Sequence, residues 1–149
     1  MSAVDPELGR SPGALGELTT GVAQLQALYD ELWDAGVDPV TLELCRLRMA
    51  TLIGSADDMA MREPRAVAAG LAEETVEDLP AWPTSERFTD AERCAIGFAE
   101  QYVIDAHGFT DDDMVLMHEH FTDPQLATLT TACATFDALA RVRTVLAAS

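Results

Sequence analysis

Residues 43–62 read ELCRLRMATLIGSADDMAMR. The first half has the spacing of an amphipathic helix, Gly54 interrupts it, and the second half is another helical segment rich in acids and methionine. Glu43 lies three residues after Val40 and four before Leu47, which puts it on or beside the apolar stripe. A carboxylate there is either paired or raised in pKa, because burial disfavours its charged form. That makes Glu43 the first candidate for proton-transfer chemistry. The plainer reading is an ion pair with Arg46 or Arg48.

Working outward, helix signals follow one another along the chain. Residues 1–13 carry two prolines, two glycines and no periodicity, and read as a flexible tail ahead of a single domain over 14–149. Leu15, Leu18, Val22, Leu25, Tyr29 and Leu32 form a narrow helical stripe that packs inside the fold or against a partner subunit; Gly36 is its C-cap candidate. Asp38-Pro39 supplies an N-cap and a proline at the first helical position of the next helix. A third helix runs from about Ser55 to Arg62, with Pro64 as its stop. AEETVEDL (72–79) reads as a short helix and 80–85 as a packed loop. Thr89-Asp90-Ala91-Glu92 is a capping box, Thr110 caps an acidic helix after Gly108, and 122–125 open the last helix. No strand signal competes, so the expected fold class is all-α, with six or seven helices.

Composition narrows the function. Twenty-six acids face nine bases, a net charge of −17. That argues against nucleic acid and against an anionic membrane surface as partners. All nine bases are arginine, so Schiff-base chemistry and a P-loop lysine are excluded. Cys45, Cys94 and Cys133 are widely spaced and form no C-x-x-C; buried thiols in a reducing cytoplasm are the default. No signal peptide or transmembrane run is indicated. His118 and His120 are two apart and diverge on a helix, and His107 sits at a helix end, so no metal site is expected. Asp111–Asp113 reads as the acidic first turn of a helix rather than a calcium loop. Met49, Met59, Met61, Met114 and Met117 are expected to fill the core or line a pocket, and Trp33 and Trp82 are candidates to wall the same cavity.

Three segments, Asp38-Pro39 with ELCRLRMATLIG, FTDAERCAIGFAEQY and FTDPQLATLTTACATFDALARVRTVL, together resemble the carboxymuconolactone decarboxylase and alkylhydroperoxidase D (AhpD) superfamily over about residues 36–146. The resemblance implies an AhpD-like helical domain and a homo-oligomer, trimeric or hexameric. Redox members of that family carry a glutamate, a C-x-x-C twelve residues on, and a histidine four residues beyond the second cysteine. Here the glutamate is Glu43, the cysteines are replaced by Ser55 and Asp58, the histidine by Arg62, and the position between the cysteines that often holds a relay histidine in the family is Asp57. Dithiol peroxide reduction needs one thiolate to attack and a second thiol to resolve the sulfenic acid, and this chain offers neither there. Disulfide cycling is therefore not expected.

What remains is an acid-rich cluster with one cation. Asp58 and Arg62, at i and i+4, are expected to pair on one helix face. The catalytic candidates are Glu43 as general acid/base, Ser55 as an oxyanion donor, and Arg62 with Asp58; Asp57, Met59 and Arg62 are candidates to bind substrate. Two functions follow. One is a cofactor-free decarboxylase or isomerase acting on a small carbonyl or lactone compound. The other is a non-catalytic oligomeric binding or scaffold protein with a decayed redox site. A closed pocket beside Glu43, with Arg62 or Ser55 pointing in, favours the first; Glu43 locked to Arg46 or Arg48 with no cavity beside it favours the second.

Overall fold

A computed structural model of the chain describes Thr20–Ala147. The expectations for the tail 1–13 and for Leu15 and Leu18 lie outside those residues, as does the side chain of Val22. Eight α-helices and no strand occur among the described residues: α1 (Thr20–Leu32), α2 (Pro39–Ile53), α3 (Ala56–Ala60), α4 (Pro64–Ala68), α5 (Glu73–Glu77), α6 (Asp90–Ile104), α7 (Asp111–His120) and α8 (Asp123–Ala147). Three of them are single turns of five residues, so the longer elements are α1, α2, α6, α7 and α8. The all-α expectation holds.

The caps account for the boundaries. Asp38 accepts from the Val40 amide with Pro39 at the first position, and α2 ends where Gly54 turns left-handed at φ +87°. Thr89 with Glu92, and Thr110 with Asp113, form reciprocal capping boxes at the starts of α6 and α7. Pro64 does more than end α3. Glu63 is an N-cap whose carboxylate accepts from the Arg65 amide, and Pro64 begins α4. An acid followed by proline is therefore a start signal here as well as a stop.

Helix α2 is the central element, packed between α6 and α8. Its Leu42, Leu44, Cys45 and Met49 are fully buried, and an α-helix enclosed on most sides presents apolar residues nearly all round. The Tyr29, Trp33 and Phe136 rings meet at centroid distances of 5.6–5.9 Å and pin α1 to α8. Tyr29 and Leu32 are thus core residues with Leu25 packed beside them, and this part of the α1 stripe faces inward rather than toward a partner. Trp33 belongs to that core, whereas Trp82 lines a surface cleft; the two do not share a cavity. Met49 and Met117 are buried, Met61 and Met114 half-buried, and Met59 is exposed. No described helix is long and apolar enough to cross a membrane.

Candidate functional site

Glu43 is fully buried on α2 and both of its oxygens are occupied. Oε1 accepts from Arg46 Nε at 2.5 Å; Oε2 accepts from Arg46 Nη2 and from the Glu63 amide, each at 2.8 Å. The guanidinium meets the carboxylate as a two-pronged fork one helical turn away, the geometry that makes arginine–carboxylate bonds strong. Arg46 Nη1 and Nη2 also donate to the carbonyls of Asp58 (3.0 Å) and Met61 (2.8 Å), which ties α2 to the middle and the C-cap of α3. Burial works to lower the Arg46 pKa, but the hydrogen bonds and charge of Glu43 outweigh it and raise the value, so the guanidinium stays charged. Of the two partners expected for Glu43, Arg46 is the one found; Arg48 instead pairs with Glu100 on α6.

The network continues in both directions from this pair. Asp58 is buried on α3; Ser55 Oγ donates to its Oδ2 at 2.5 Å, and its Oδ1 takes a hydrogen bond from Arg143 Nη1 on α8. Glu63 is also fully buried, accepting from the Tyr29 hydroxyl (2.8 Å) and from Arg65 Nε (2.8 Å). Burial pushes the Tyr29 phenol far above its ordinary pKa, so it remains a donor. Glu43, Asp58 and Glu63 are thereby balanced by Arg46, Arg143 and the partly exposed Arg65. One ionic chain joins α1, α2, α3, α4 and α8.

Two expectations fail against this geometry. Asp58 and Arg62 do not pair. Asp58 turns inward to Arg143, while Arg62 turns outward to Glu73 at 2.7 Å and caps the Met59 and Met61 carbonyls. The physical reason is that α3 ends at Ala60, so residue 62 lies beyond the helix and the i, i+4 relation is lost. Nor does Ser55 present a free hydroxyl at a helix N-terminus. It makes no side-chain cap bond, and its proton is committed to Asp58. Asp57 is exposed. Met59 borders a small hollow of about 230 Å³ with Leu47 and Arg48, apart from Glu43. Neither that hollow nor the larger cleft described below is lined by Glu43, Ser55 or Asp58.

Arg143, Glu63 and Tyr29 were not among the sequence candidates. Arg143 had a visible signal: it lies seven residues after Phe136 and three after Ala140, an arginine on the buried stripe of the last helix. Its Nε and Nη2 are buried with no hydrogen-bond partner among the described residues.

The larger cleft, about 570 Å³, opens between α6 and α7. Phe98, Phe109 and Met117 lie in its floor, and Cys94 Sγ reaches Met117 Sδ at 3.1 Å. The three cysteines, far apart in sequence, converge on the core from α2, α6 and α8. Cys45 and Cys133 are buried and Cys94 is half-buried, and burial raises the pKa of all three thiols, that of Cys133 to about 12. No metal-ligating cluster of His, Cys, Asp and Glu occurs among the described residues. His118 bridges the Met114 carbonyl and Asp123, and these bonds raise its pKa.

The family model for carboxymuconolactone decarboxylase matches residues 22–101, more than half of the chain. The chain belongs to the carboxymuconolactone decarboxylase family. No curated protein matches the sequence. Among solved structures, the chain resembles a protein of unknown function from Agrobacterium tumefaciens, suggested to be the antioxidant-defence protein AhpD, with TM-score 0.78, 21% identity, and 87% and 90% of the two chains covered. It also resembles the debrominase Bmp8, in a cysteine-to-alanine form bound to 2,3,4-tribromopyrrole, with TM-score 0.76, 14% identity, and 95% and 78% covered. At those identities the likeness is one of fold.

Proposed function

We propose that this family member is a non-redox binding or scaffold protein in which the positions of the family's redox site have become a structural ion-pair lock. The observation that carries this reading is Glu43: fully buried, with both oxygens held by Arg46 and the Glu63 amide, and with no described cavity against it. A general acid or base must reach the proton it moves, directly or through one water. Ser55 and Asp58 stand where dithiol chemistry needs sulfur, and the raised thiol pKa values of Cys45, Cys94 and Cys133 leave little thiolate to substitute for it. A soluble homo-oligomer, trimeric or hexameric and cytoplasmic, suits this role.

One observation favours a second reading, the cofactor-free decarboxylase or isomerase acting on a small carbonyl or lactone compound. Arg143 keeps two buried donors unpartnered beside Asp58 and Ser55, and a carbonyl oxygen entering there would satisfy them. Arg143 would then take the polarising role considered for Arg62, with Glu43 as the proton-transfer group and Asp57, Met59 and Arg62 at the entrance. A panel of γ-lactones and β-keto acids separates the readings. We expect no turnover above the uncatalysed rate by wild type. Turnover that Glu43→Gln abolishes while the helical circular dichroism is retained would establish the enzyme instead.

A further inference from the structure

We propose that the cleft between α6 and α7 is a binding site for a small organic cation with an aromatic or branched apolar body. The proposal deepens the binding reading by naming where a ligand sits and what it is. At about 570 Å³ the cleft falls within the range of small-molecule sites, and like them it combines an apolar floor with a few polar groups.

Its walls are fixed in place. Phe98 and Phe109 lie 4.8 Å apart, their rings tilted by 33°. The Trp82 indole N–H donates to Glu100 at 2.8 Å, and Glu100 is itself held by Arg48, so the ring cannot turn freely. Gly97 lets that ring lie against α6, since a Cβ there would stand 3.3 Å from the ring edge. Rigid aromatic faces in a half-open site attract cations through their quadrupole.

The charges of the lining point the same way. Arg93 is held by Asp90 at 3.0 Å and by the Ser85 carbonyl at 2.6 Å, so its charge is already matched. The Glu119 carboxylate makes no hydrogen bond or ion pair among the described residues, yet lies near enough to Cys94 to add, after burial, to the upward push on its thiol pKa. Asp113 adds a second carboxylate, with Oδ2 held by Thr110. Half-buried His120 also lines the cleft, and even protonated it would leave these two carboxylates in excess. The net charge of −17 adds a field that concentrates cations near the surface.

The test titrates the full-length protein with 1-naphthylmethylamine, 1-naphthylmethanol and 1-naphthoic acid, followed by ¹H–¹⁵N NMR of the Trp82 indole and the Gly97 amide. We expect the amine to shift both signals and to bind about tenfold more tightly than the alcohol, the scale of a cation–π contact assisted by one carboxylate. The acid should bind most weakly. Glu119→Gln, at an exposed position, should remove most of the preference for the amine without changing Tm; Leu116→Trp, also exposed, should close the mouth to all three. Equal affinity for amine and alcohol would overturn the cationic assignment. Shifts elsewhere on the protein would overturn the site. A concentration-dependent dimer that protects these two signals would also overturn it, showing that a second copy covers the cleft. These results are independent of lactone turnover: a failed titration leaves the ion-pair lock intact, and Glu43-dependent turnover leaves the cleft untouched.

Discussion

Asp58 and Arg62 show what residue spacing can and cannot predict. Four residues apart, they look like a helix pair, but the helix that would align them stops between them. One faces the core and the other faces water. The consequence is measurable. Asp58→Ala leaves Arg143 buried without a counter-charge and Ser55 without its acceptor, and should cost about 3–5 kcal/mol of unfolding free energy in urea titrations. Arg62→Ala breaks a pair whose members are 25% and 58% exposed, and should cost less than about 1 kcal/mol. Similar losses for the two would contradict the placement of Asp58 inside the network. Glu43 was legible because its spacing alone put it on the apolar stripe. Arg143 carried the same signal at the other end of the chain. Glu63 did not, because nothing in the spacing indicated that Tyr29, 34 residues earlier, would donate to it.

At the level of elements, local chemistry marked nearly every boundary. The Thr89 and Thr110 boxes, the Asp38-Pro39 start and the Gly54 end stand where the side chains require. Glu63-Pro64 has a second meaning because proline both terminates and initiates helices, and Glu63 had an amide to cap. Gly54 is the joint that sets α3, and with it Asp58, against the end of α2. Its left-handed φ of +87° excludes most side chains, while nothing lies within 4 Å of where a Cβ would be. Gly54→Ala therefore carries a backbone cost alone, expected at about 1 kcal/mol. Chemical denaturation checks this. A neutral effect would mean that the turn relaxes without moving α3.

For the whole molecule, the stripe periodicities predicted an all-α fold but not its assembly. Which helices enclose α2 depends on contacts between α2, α6 and α8 that lie far apart in sequence. The same packing gathers the three cysteines, and this predicts a pH dependence. Burial raises the folded-state pKa of Cys133 from the ordinary 9.0 to about 12, and raises that of Cys45 likewise. The unfolded chain therefore releases these protons at lower pH than the folded one. The contribution of these thiols to stability is constant below about pH 8 and is lost as pH rises from about 9 toward 12. Guanidinium titrations across that range should show the loss, and Cys133→Ala should reduce its slope. An unchanged slope would place the loss on other groups. In the native protein at neutral pH, Cys45 and Cys133 should resist iodoacetamide until the fold opens.

The claim on which these predictions converge is that the Glu43–Arg46 pair is a structural lock. The most direct test is a double-mutant cycle by equilibrium urea unfolding, with Glu43→Leu, Arg46→Met and both together. Each single change strands one buried charge and is expected to cost about 3–5 kcal/mol, whereas the double variant, which still leaves the Glu63 amide and the Asp58 and Met61 carbonyls without these partners, should cost at least about 2 kcal/mol less than the sum of the two singles. Single variants as stable as wild type, with no coupling between the two positions, would contradict the lock.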